Sequence, residues 1–381
     1  MNNALPQSHE YDLIVFGGGC AGLSLLTRLV RAGWTRDRKV LLVERDAGKS
    51  NDRTWCFWEK EPGFFEDIVY KKWEQLTFHD HDFSGTFALA PYTYKLIRGI
   101  DFYQYCHHAI NGIERFTADI SDLQVSGSEV QFKSGDQSIL LRCPLVFNSI
   151  PGAAGSGATM KLLQHFRGWV VETSEPVFTA SVATFMDFRV SQDKGTAFVY
   201  VLPFNERRAL VEYTLFSGSL LPKEDYESGL RDYLSRILDV REYKIVEEEA
   251  GVIPMTNQDF PFYRNGMYHI GTTGGQTKAS SGYTFHFIQK QAAQIVRALT
   301  EGKELNTVKT FPSRFRFYDN TLLYVLYHGK LPGSRIFATL FRKNKVKDIL
   351  AFLDNESTVL AELKIISSLP TLPFLKAAIR H

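Results

Sequence analysis

The sequence predicts an α/β fold with three parts: a parallel-sheet unit at the start, an antiparallel sheet in the middle and a helical C-terminal region. Three observations carry this expectation. Tyr11 to Asp46 reads as strand, glycine turn, helix and strand; three apolar segments between Val182 and Phe216 are joined by short polar connections; and Tyr318 to His381 carries apolar stripes at helical spacing.

The first part opens with the apolar run Leu13 to Phe16, short enough for a buried parallel strand. Gly17, Gly19 and Gly22 follow in the G-x-G-x-x-G register, a helical pattern runs from Cys20 to Ala32 and stops at Gly33, and Val40 to Val43 forms a second strand ending on Glu44. Each piece has a use in holding a dinucleotide. Gly17 turns the chain, Gly19 lets a pyrophosphate reach the backbone, and Gly22 lets helix and strand pack closely. The helix N-terminus offers free N–H groups to phosphate, and Glu44, 22 residues past Gly22, stands where a carboxylate meets a ribose hydroxyl. The alternative is an ordinary strand, turn and helix that bind nothing. The arrival of every piece in order favours a Rossmann-type dinucleotide site, and its early position favours FAD over NAD.

With 44 basic and 42 acidic residues, the net charge of +2 supplies no global field to recruit nucleic acid or an acidic partner. A length of 381 residues suffices for two or three subdomains around a substantial core. The 29 Phe and 17 Tyr exceed what such a core requires, which points either to a large apolar or unsaturated ligand or to a Phe-rich interior. Cys20, Cys56, Cys106 and Cys143 lack CxxC pairing and metal spacing, so no metal is expected, and the thiols should be reduced and mostly buried, as in a cytosolic chain. The stretch MNNALPQSHEYD lacks a basic region followed by an apolar one, so no secretion signal is expected, and no window approaches the roughly 18 apolar residues of a membrane span.

Further along, Asn51 to Glu59 carries two tryptophans and an arginine and reads as a loop over the cofactor or a hydrophobic plug. Lys72 to Tyr94 reads as antiparallel strands. Ile100 to Asn111 reads as a helix opening just after Arg98, which could meet a phosphate or ribityl chain or stay solvated. Glu114 to Gly135 and Ser138 to Asn148 read as strands turned at Ser126-Gly127 and Ser134-Gly135, the last of them leading into a loop at Ser149–Gly152. Val182–Val190, Thr196–Phe204 and Arg208–Phe216 form a meander, the best candidate for a separate substrate sheet, and Leu221 to Glu249 reads as a charged amphipathic helix. Met267 to Gly271 enters a second glycine turn, Gly271-Thr272-Thr273-Gly274-Gly275, suited to close backbone approach to a cofactor ahead of a helix from Tyr283 to Leu299.

The candidate chemistry lies in the meander. Glu212 interrupts the apolar strand Leu210–Phe216, on one face with Leu210, Thr214 and Phe216. A carboxylate there is expensive to keep ionised, so its pKa should rise and make it a general acid; the alternative is the solvent side of a half-exposed strand. Asp187, with Arg189 two residues on, is either a second functional acid or an Asp–Arg pair at a strand end. If the two turns centre on Asp193 and Glu206, the expectation is that Asp187 faces Val199 and Glu212 faces Val201, placing both acids on one side of the middle strand.

These residues resemble the flavoprotein lycopene β-cyclases of bacteria, relatives of the plant enzymes. The resemblance covers nearly the whole chain. It rests on GGGCAG, on Arg53-Thr54-Trp55 and on Met186-Asp187-Phe188-Arg189. Phe198 to Pro203, Leu210 to Thr214, Ile270 to Lys278, Ser281-Gly282-Tyr283 and Leu369-Pro370 extend it. One departure stands out: where the family's strand motif reads Phe-x-Glu-Glu-Thr, Tyr213 holds the second Glu position.

The resemblance implies a fold like that of aromatic hydroxylases and polyprenyl reductases, a Rossmann-type FAD-binding domain interleaved with an antiparallel substrate sheet and followed by a helical C-terminal part. The boundaries expected are 1–75, 98–175 and 251–312 for the FAD-binding domain, 76–97 and 176–250 for the substrate domain, and 313–381 for the helical region. It implies a redox-neutral cyclisation of lycopene ends started by a proton, using reduced FAD with NAD(P)H as reductant. Glu212 would be the acid, and Asp187 would orient it, relay protons or act as base. FAD contacts would fall to Gly17, Gly19, Ala21, Gly22, Glu44, Arg53, Arg98, Gly271, Thr272, Gly274 and Gly275. A carotenoid substrate implies peripheral contact with the inner face of the cell membrane, through Leu369–Leu375 and the basic run Lys343–Lys347. The alternatives are a flavin monooxygenase or polyprenyl reductase on the same fold, and a prenyl-lipid carrier without catalysis.

Overall fold

The computed structural model describes residues 5–45, 48–151, 159–309 and 312–379. Asp46, Gly152, the first four residues and the last two lie outside them. Leu13–Phe16 (β1) is buried along its length because alternate side chains serve different layers. Leu13 and Val15 pack with Leu23, Leu26 and Leu29 of the helix Cys20–Arg31 (α1), while Ile14 and Phe16 meet Val130, Phe132 and Leu141 on the other side. Val40–Glu44 (β2) lies parallel to β1 in a six-stranded sheet ordered Tyr263–Arg264, Met267–His269, Val146–Asn148, β1, β2, Glu114–Thr117. Every pairing is parallel except the terminal hairpin, turned by Asn265 and Gly266 at φ 53° and 77°. α1, Gly99–Ala109 (α2) and the later helix Phe285–Thr300 share one hydrophobic layer with this sheet. A three-stranded meander, Ile120–Ser126, Glu129–Ser134 and Gln137–Arg142, covers the other face, turned at Gly127 and Gly135 as expected.

A second sheet has seven strands: Gln75–His79 (β3), Ser84–Ala88 (β4), Lys161–Glu172 (β5), Val182–Asp187 (β6), Thr196–Pro203 (β7), Arg208–Ser217 (β8) and Lys244–Thr256 (β9). Their order is β9-β5-β8-β7-β6-β3-β4, antiparallel except where β6 runs parallel to β3. The predicted meander is β6, β7 and β8. Two features differ from the sequence reading. The segment 221–249 is not one helix; it divides into the helix Lys223–Arg236 (α3) and the strand β9. The helix-forming Glu247-Glu248-Glu249 run is drawn into β9 because β5 hydrogen-bonds that strand from Lys161↔Thr256 to Glu172↔Lys244. β5 itself falls inside the 98–175 segment expected to belong wholly to the dinucleotide domain, so the two sheets share the chain more finely than predicted.

Asn51–Glu59 is largely a strand, not a loop. Thr54–Glu59 pairs with Thr93–Arg98, which pairs with Lys71–Trp73, in a three-stranded sheet between the two larger ones. Its alternation joins two cores: Trp55 and Phe57 pack on Phe285 at 5.7 and 4.7 Å, while Trp58 turns towards Phe185 and Tyr283. α3 covers one face of the seven-stranded sheet with Tyr226, Leu230 and Tyr233. The opposite face meets Trp58, Tyr94 and the C-terminal helices that follow Phe285–Thr300 (α4). Those helices are Ser313–Tyr327 (α5), Gly333–Lys343 (α6), Val346–Leu353 (α7), Val359–Ser368 (α8) and Thr371–Ala378 (α9). Phe337 and Phe341 of α6 stack on Phe188 and Phe78 at 5.8 and 4.6 Å, so this interior is aromatic on both walls.

Candidate active site

The two glycine turns converge. A Cβ on Gly22 would lie 2.0 Å from the Gly17 carbonyl oxygen, and one on Gly271 would lie 2.7 Å from the Ala21 Cβ, so neither position admits a side chain. Gly19 is different, since a Cβ there would meet nothing within 4 Å. It is the N-cap of α1, no side chain caps that helix, and no acid stands in its first turn, which leaves backbone donors facing open space. The Glu44 carboxylate accepts from the Gly18 N–H and pairs with Lys49 at 2.9 Å. Gly271–Gly274 forms a single tight helical turn closed by Gly275 at φ 73°, with Thr272 in its middle, and the helix expected from Tyr283 begins at Phe285. Arg53 is exposed beside Asp52, close enough to Cys20 at the start of α1 to act on its thiol, and its carbonyl accepts the Gly99 N–H.

Arg98 is half-buried and held in place rather than simply solvated. Its guanidinium forks onto Asp101 at 2.6 and 2.7 Å and lies 4.2 Å over the Tyr70 ring. It lines a polar cavity with Asn51, Thr54, Arg208, Glu247 and Glu249.

Strand register decides the meander's chemistry. A turn centred on Glu206 pairs positions six residues to either side, so Glu212 faces Tyr200, and Val201 faces Val211; the expected Glu212–Val201 pairing is corrected by this. Asp187 does face Val199. Glu212 and Tyr200 therefore share the aromatic side of the sheet, with Leu210, Phe198 and Phe216. Asp187 belongs to the α3 side and is fully buried: Arg189 grips both its oxygens, and the Tyr233 hydroxyl of α3 donates to it at 2.8 Å. The two acids that the sequence reading placed together are on opposite faces. Tyr213, at the family's second acidic position, also points to the α3 side, where its ring fills the space over Gly229.

A carboxylate that sequence reasoning missed does reach Glu212. Gly168 of β5 pairs with Glu212 on one side and Glu249 on the other, and the two carboxyls approach closely enough across it to act on each other. Burial pushes the Glu212 carboxyl well above its usual range, and the charge of Glu249 pushes it further. Burial raises Glu249 as well. Thr214 donates to Glu212 at 2.8 Å and Thr54 to Glu249 at 2.6 Å. Around Glu212, Tyr200 meets Phe185 and Phe198 edge-on at 6.1 and 5.2 Å, and burial holds the Tyr200, Tyr94 and Tyr283 phenols neutral. The sequence signal for Glu249 was faint: an alternating pattern hidden in an acidic run that also suits a helix. His286, Asp354 and Glu356 also cluster, but Lys290 already pairs with both carboxylates at 3.2 and 2.9 Å.

The fold is shared with solved structures of flavin-dependent proteins. It superposes on a p-nitrophenol 4-monooxygenase from Pseudomonas putida with a TM-score of 0.64 at 13% identity, covering 92% of this chain and 99% of that one. A flavin-dependent brominase gives 0.63 at 12% identity over 91% and 94% of the chains. A geranylgeranyl bacteriochlorophyll reductase-like protein from Thermoplasma acidophilum gives 0.59 at 12% over 97% and 96%. Within that fold the chain belongs to the lycopene cyclase protein family, whose model matches residues 12–379. It is 24% identical to a lycopene beta-cyclase of Paracoccus over 97% of this chain and 96% of the relative. It is 26% identical to one from Pseudescherichia vulneris, where the match spans 64% of this chain and about 62% of the relative's length.

Proposed function

We propose that this protein is a lycopene β-cyclase that converts ψ end groups to β-ionone rings, giving γ-carotene or β-carotene, without net oxidation or reduction. The observation that carries the reading is Glu212, a carboxyl raised in pKa on the aromatic side of the substrate sheet. Held towards its neutral form by burial and by the charge of Glu249, its Oε–H can protonate the terminal double bond of the acyclic end and leave a tertiary cation. The faces of Tyr200, Phe185 and Trp58 stabilise positive charge without offering a nucleophile. The packed apolar walls exclude water, which would otherwise capture the cation as an alcohol. The internal double bond then closes the six-membered ring, and a ring proton passes back to the carboxylate left on Glu212, its C–H electron pair forming the new double bond, which completes the isomerisation and restores the acid. Asp187, with both oxygens already engaged, serves to fix β6 to α3 rather than to reach the substrate.

The glycine geometry fits FAD. The open space at Gly19, the uncapped start of α1 and the packed pair Ala21–Gly271 suit a pyrophosphate, with Gly17, Gly22, Glu44, Arg53, Thr272, Gly274 and Gly275 around it. Reduced FAD, supplied with electrons by NAD(P)H, would place an electron-rich ring near the cation.

No helix among the described residues is long and apolar enough to cross a membrane. Peripheral contact, at the inner face of the cell membrane, is the arrangement that suits a carotenoid substrate. α8 and α9 expose Leu360 (81%) and Leu372 (69%), with Ile379 (75%) just past α9, flanked by Lys364 and Lys376, while Lys343, Lys345 and Lys347 stand exposed nearby in sequence.

Anaerobic incubation of the FAD-loaded protein and dithionite with lycopene in liposomes tests the reading. A product of unchanged mass carrying β rings is expected. A product gaining oxygen or hydrogen would indicate a monooxygenase or reductase, and bound but unaltered lycopene a carrier.

A further inference from the structure

Glu212 and Glu249 come from strands that are not adjacent, and only a glycine between them lets them meet. β5 separates β8 from β9, and at the level of Glu212 and Glu249 it presents Gly168. A Cβ at that position would lie 3.2 Å from Glu249 Cγ, 3.4 Å from Glu212 Cβ and 2.9 Å from Leu210 Cδ1, so any side chain there would wedge between the two acids. Each carboxyl has one oxygen held by a threonine: Glu212 Oε1 by Thr214 and Glu249 Oε2 by Thr54. Among the described residues neither forms an ion pair, although cations are close. Arg208 is taken by Glu247 at 2.7 Å, and Arg98 by Asp101. Two touching carboxyls without a counter-ion do not both ionise.

We propose that Glu249 is a positioning residue for the acid: the two side chains share one proton across Gly168, Glu249 from the polar cavity and Glu212 from the aromatic interior. The inference rests on the acid-initiated reading above and adds to it the group that keeps the acid loaded. Thr54, Glu247 and Glu249 line the polar cavity with Arg98 and Arg208, whereas Glu212 is not among its lining residues. The pair thus stands between a cavity lined by charged side chains and the aromatic interior. When Glu212 gives its proton to the alkene carbon, the new C–H bond takes the double bond's electron pair and the negative charge remains on the pair, shared over two carboxyls held by two threonines. Glu247 and Asp52 stand beside Glu249, and Tyr200 and Cys56 beside Glu212, and each favours retention of the proton; the cations of the cavity, Arg98 and Arg208, favour its loss but are held by Asp101 and Glu247.

The test uses the FAD-loaded protein as wild type, Glu249→Gln, Gly168→Ala and Glu212→Gln. It has two readouts: the pH profile of lycopene conversion, and infrared titration of the protonated carboxyl band, which needs no turnover. Glutamine at 249 removes the charge that holds the proton on Glu212 and offers an N–H to the ionised form. The alkaline limb and the infrared titration should therefore both move to lower pH, by about one unit or more. Gly168→Ala, by separating the acids, should move them the same way, and Glu212→Gln should abolish the band. An unchanged titration in Glu249→Gln overturns the proposal, and if that variant fails to fold, an unchanged titration in Gly168→Ala does so. Failure of every form to cyclise lycopene would count against the cyclase reading alone, because the infrared titration still decides the shared proton.

Discussion

Asp187 and Glu212 lie on strands separated only by β7, yet they occupy opposite faces of one sheet and opposite electrostatic situations. Asp187 is wrapped by Arg189 and Tyr233, so its charge is compensated and its lone pairs are used. Glu212 meets another acid, a hydroxyl and aromatic rings, so its charge is opposed and its proton is retained. Burial alone does not make a buried carboxyl an acid catalyst; what decides is whether the neighbours satisfy the ionised form or the neutral one. The same sheet does both, one residue register apart.

The sharpest way to break this comparison is to neutralise each acid in turn. Glu212→Gln should lower lycopene conversion by about 10²- to 10⁴-fold, the range of a lost general acid, without lowering the urea midpoint. Asp187→Asn should do the reverse. It leaves the Arg189 guanidinium without its carboxylate, so unfolding stability should drop by about 3 kcal/mol, at the low end for a broken buried pair because Arg189 is partly exposed. The protein that remains folded should still cyclise lycopene. Loss of activity without loss of stability in Asp187→Asn would return it to the reaction.

A smaller effect sharpens the same contrast through pH. In the unfolded chain Glu212 titrates near its ordinary value of 4.5, while in the fold its pKa is well above that. Neutral Glu212 therefore contributes stability that is complete below the unfolded value and is lost as pH rises towards the folded one. Glu212→Gln cannot ionise, so relative to wild type its stability should rise steadily as pH increases above 4.5, read from denaturation midpoints at successive pH values. A constant difference with pH would mean that Glu212 is ionised in the fold.

The contrast was only half legible in the sequence. The dinucleotide unit was readable because its signal is local: apolar runs, three glycines and an acid within one stretch, each position fixed by backbone sterics. The meander and the anomaly of Glu212 were readable from alternation. The pairing of Glu212 with Asp187 failed because one step of register moves a side chain to the other face, and the Glu206 turn sets that step. Glu249 was hidden because its partner is supplied by β5, some 40 residues earlier than Glu212, and because an acidic run has no preference strong enough to reveal a strand. Gly168, lacking any turn motif around it, gave no sign that its absent side chain was the point.

The smallest effect concerns the wall rather than the acid. Tyr200 faces Glu212 across the strand pair, and its hydroxyl lies beside Tyr283, so ring and hydroxyl can be separated by substitution. Tyr200→Phe keeps the aromatic face and loses only a neutral phenol, and should change conversion by less than about threefold. Tyr200→Leu keeps apolar bulk but removes the face, and should cost about 1 kcal/mol of cation stabilisation, roughly a fivefold loss in rate. On the α3 side, Val199→Ala one position away removes two methyl groups from a fully buried site and should lower stability by a comparable amount while leaving the rate of the folded protein alone. Equal rates for the Phe and Leu variants would show that the aromatic wall shapes the chamber without stabilising charge, and would leave Glu212 and its partner as the only electrostatic feature that distinguishes one face of the sheet from the other.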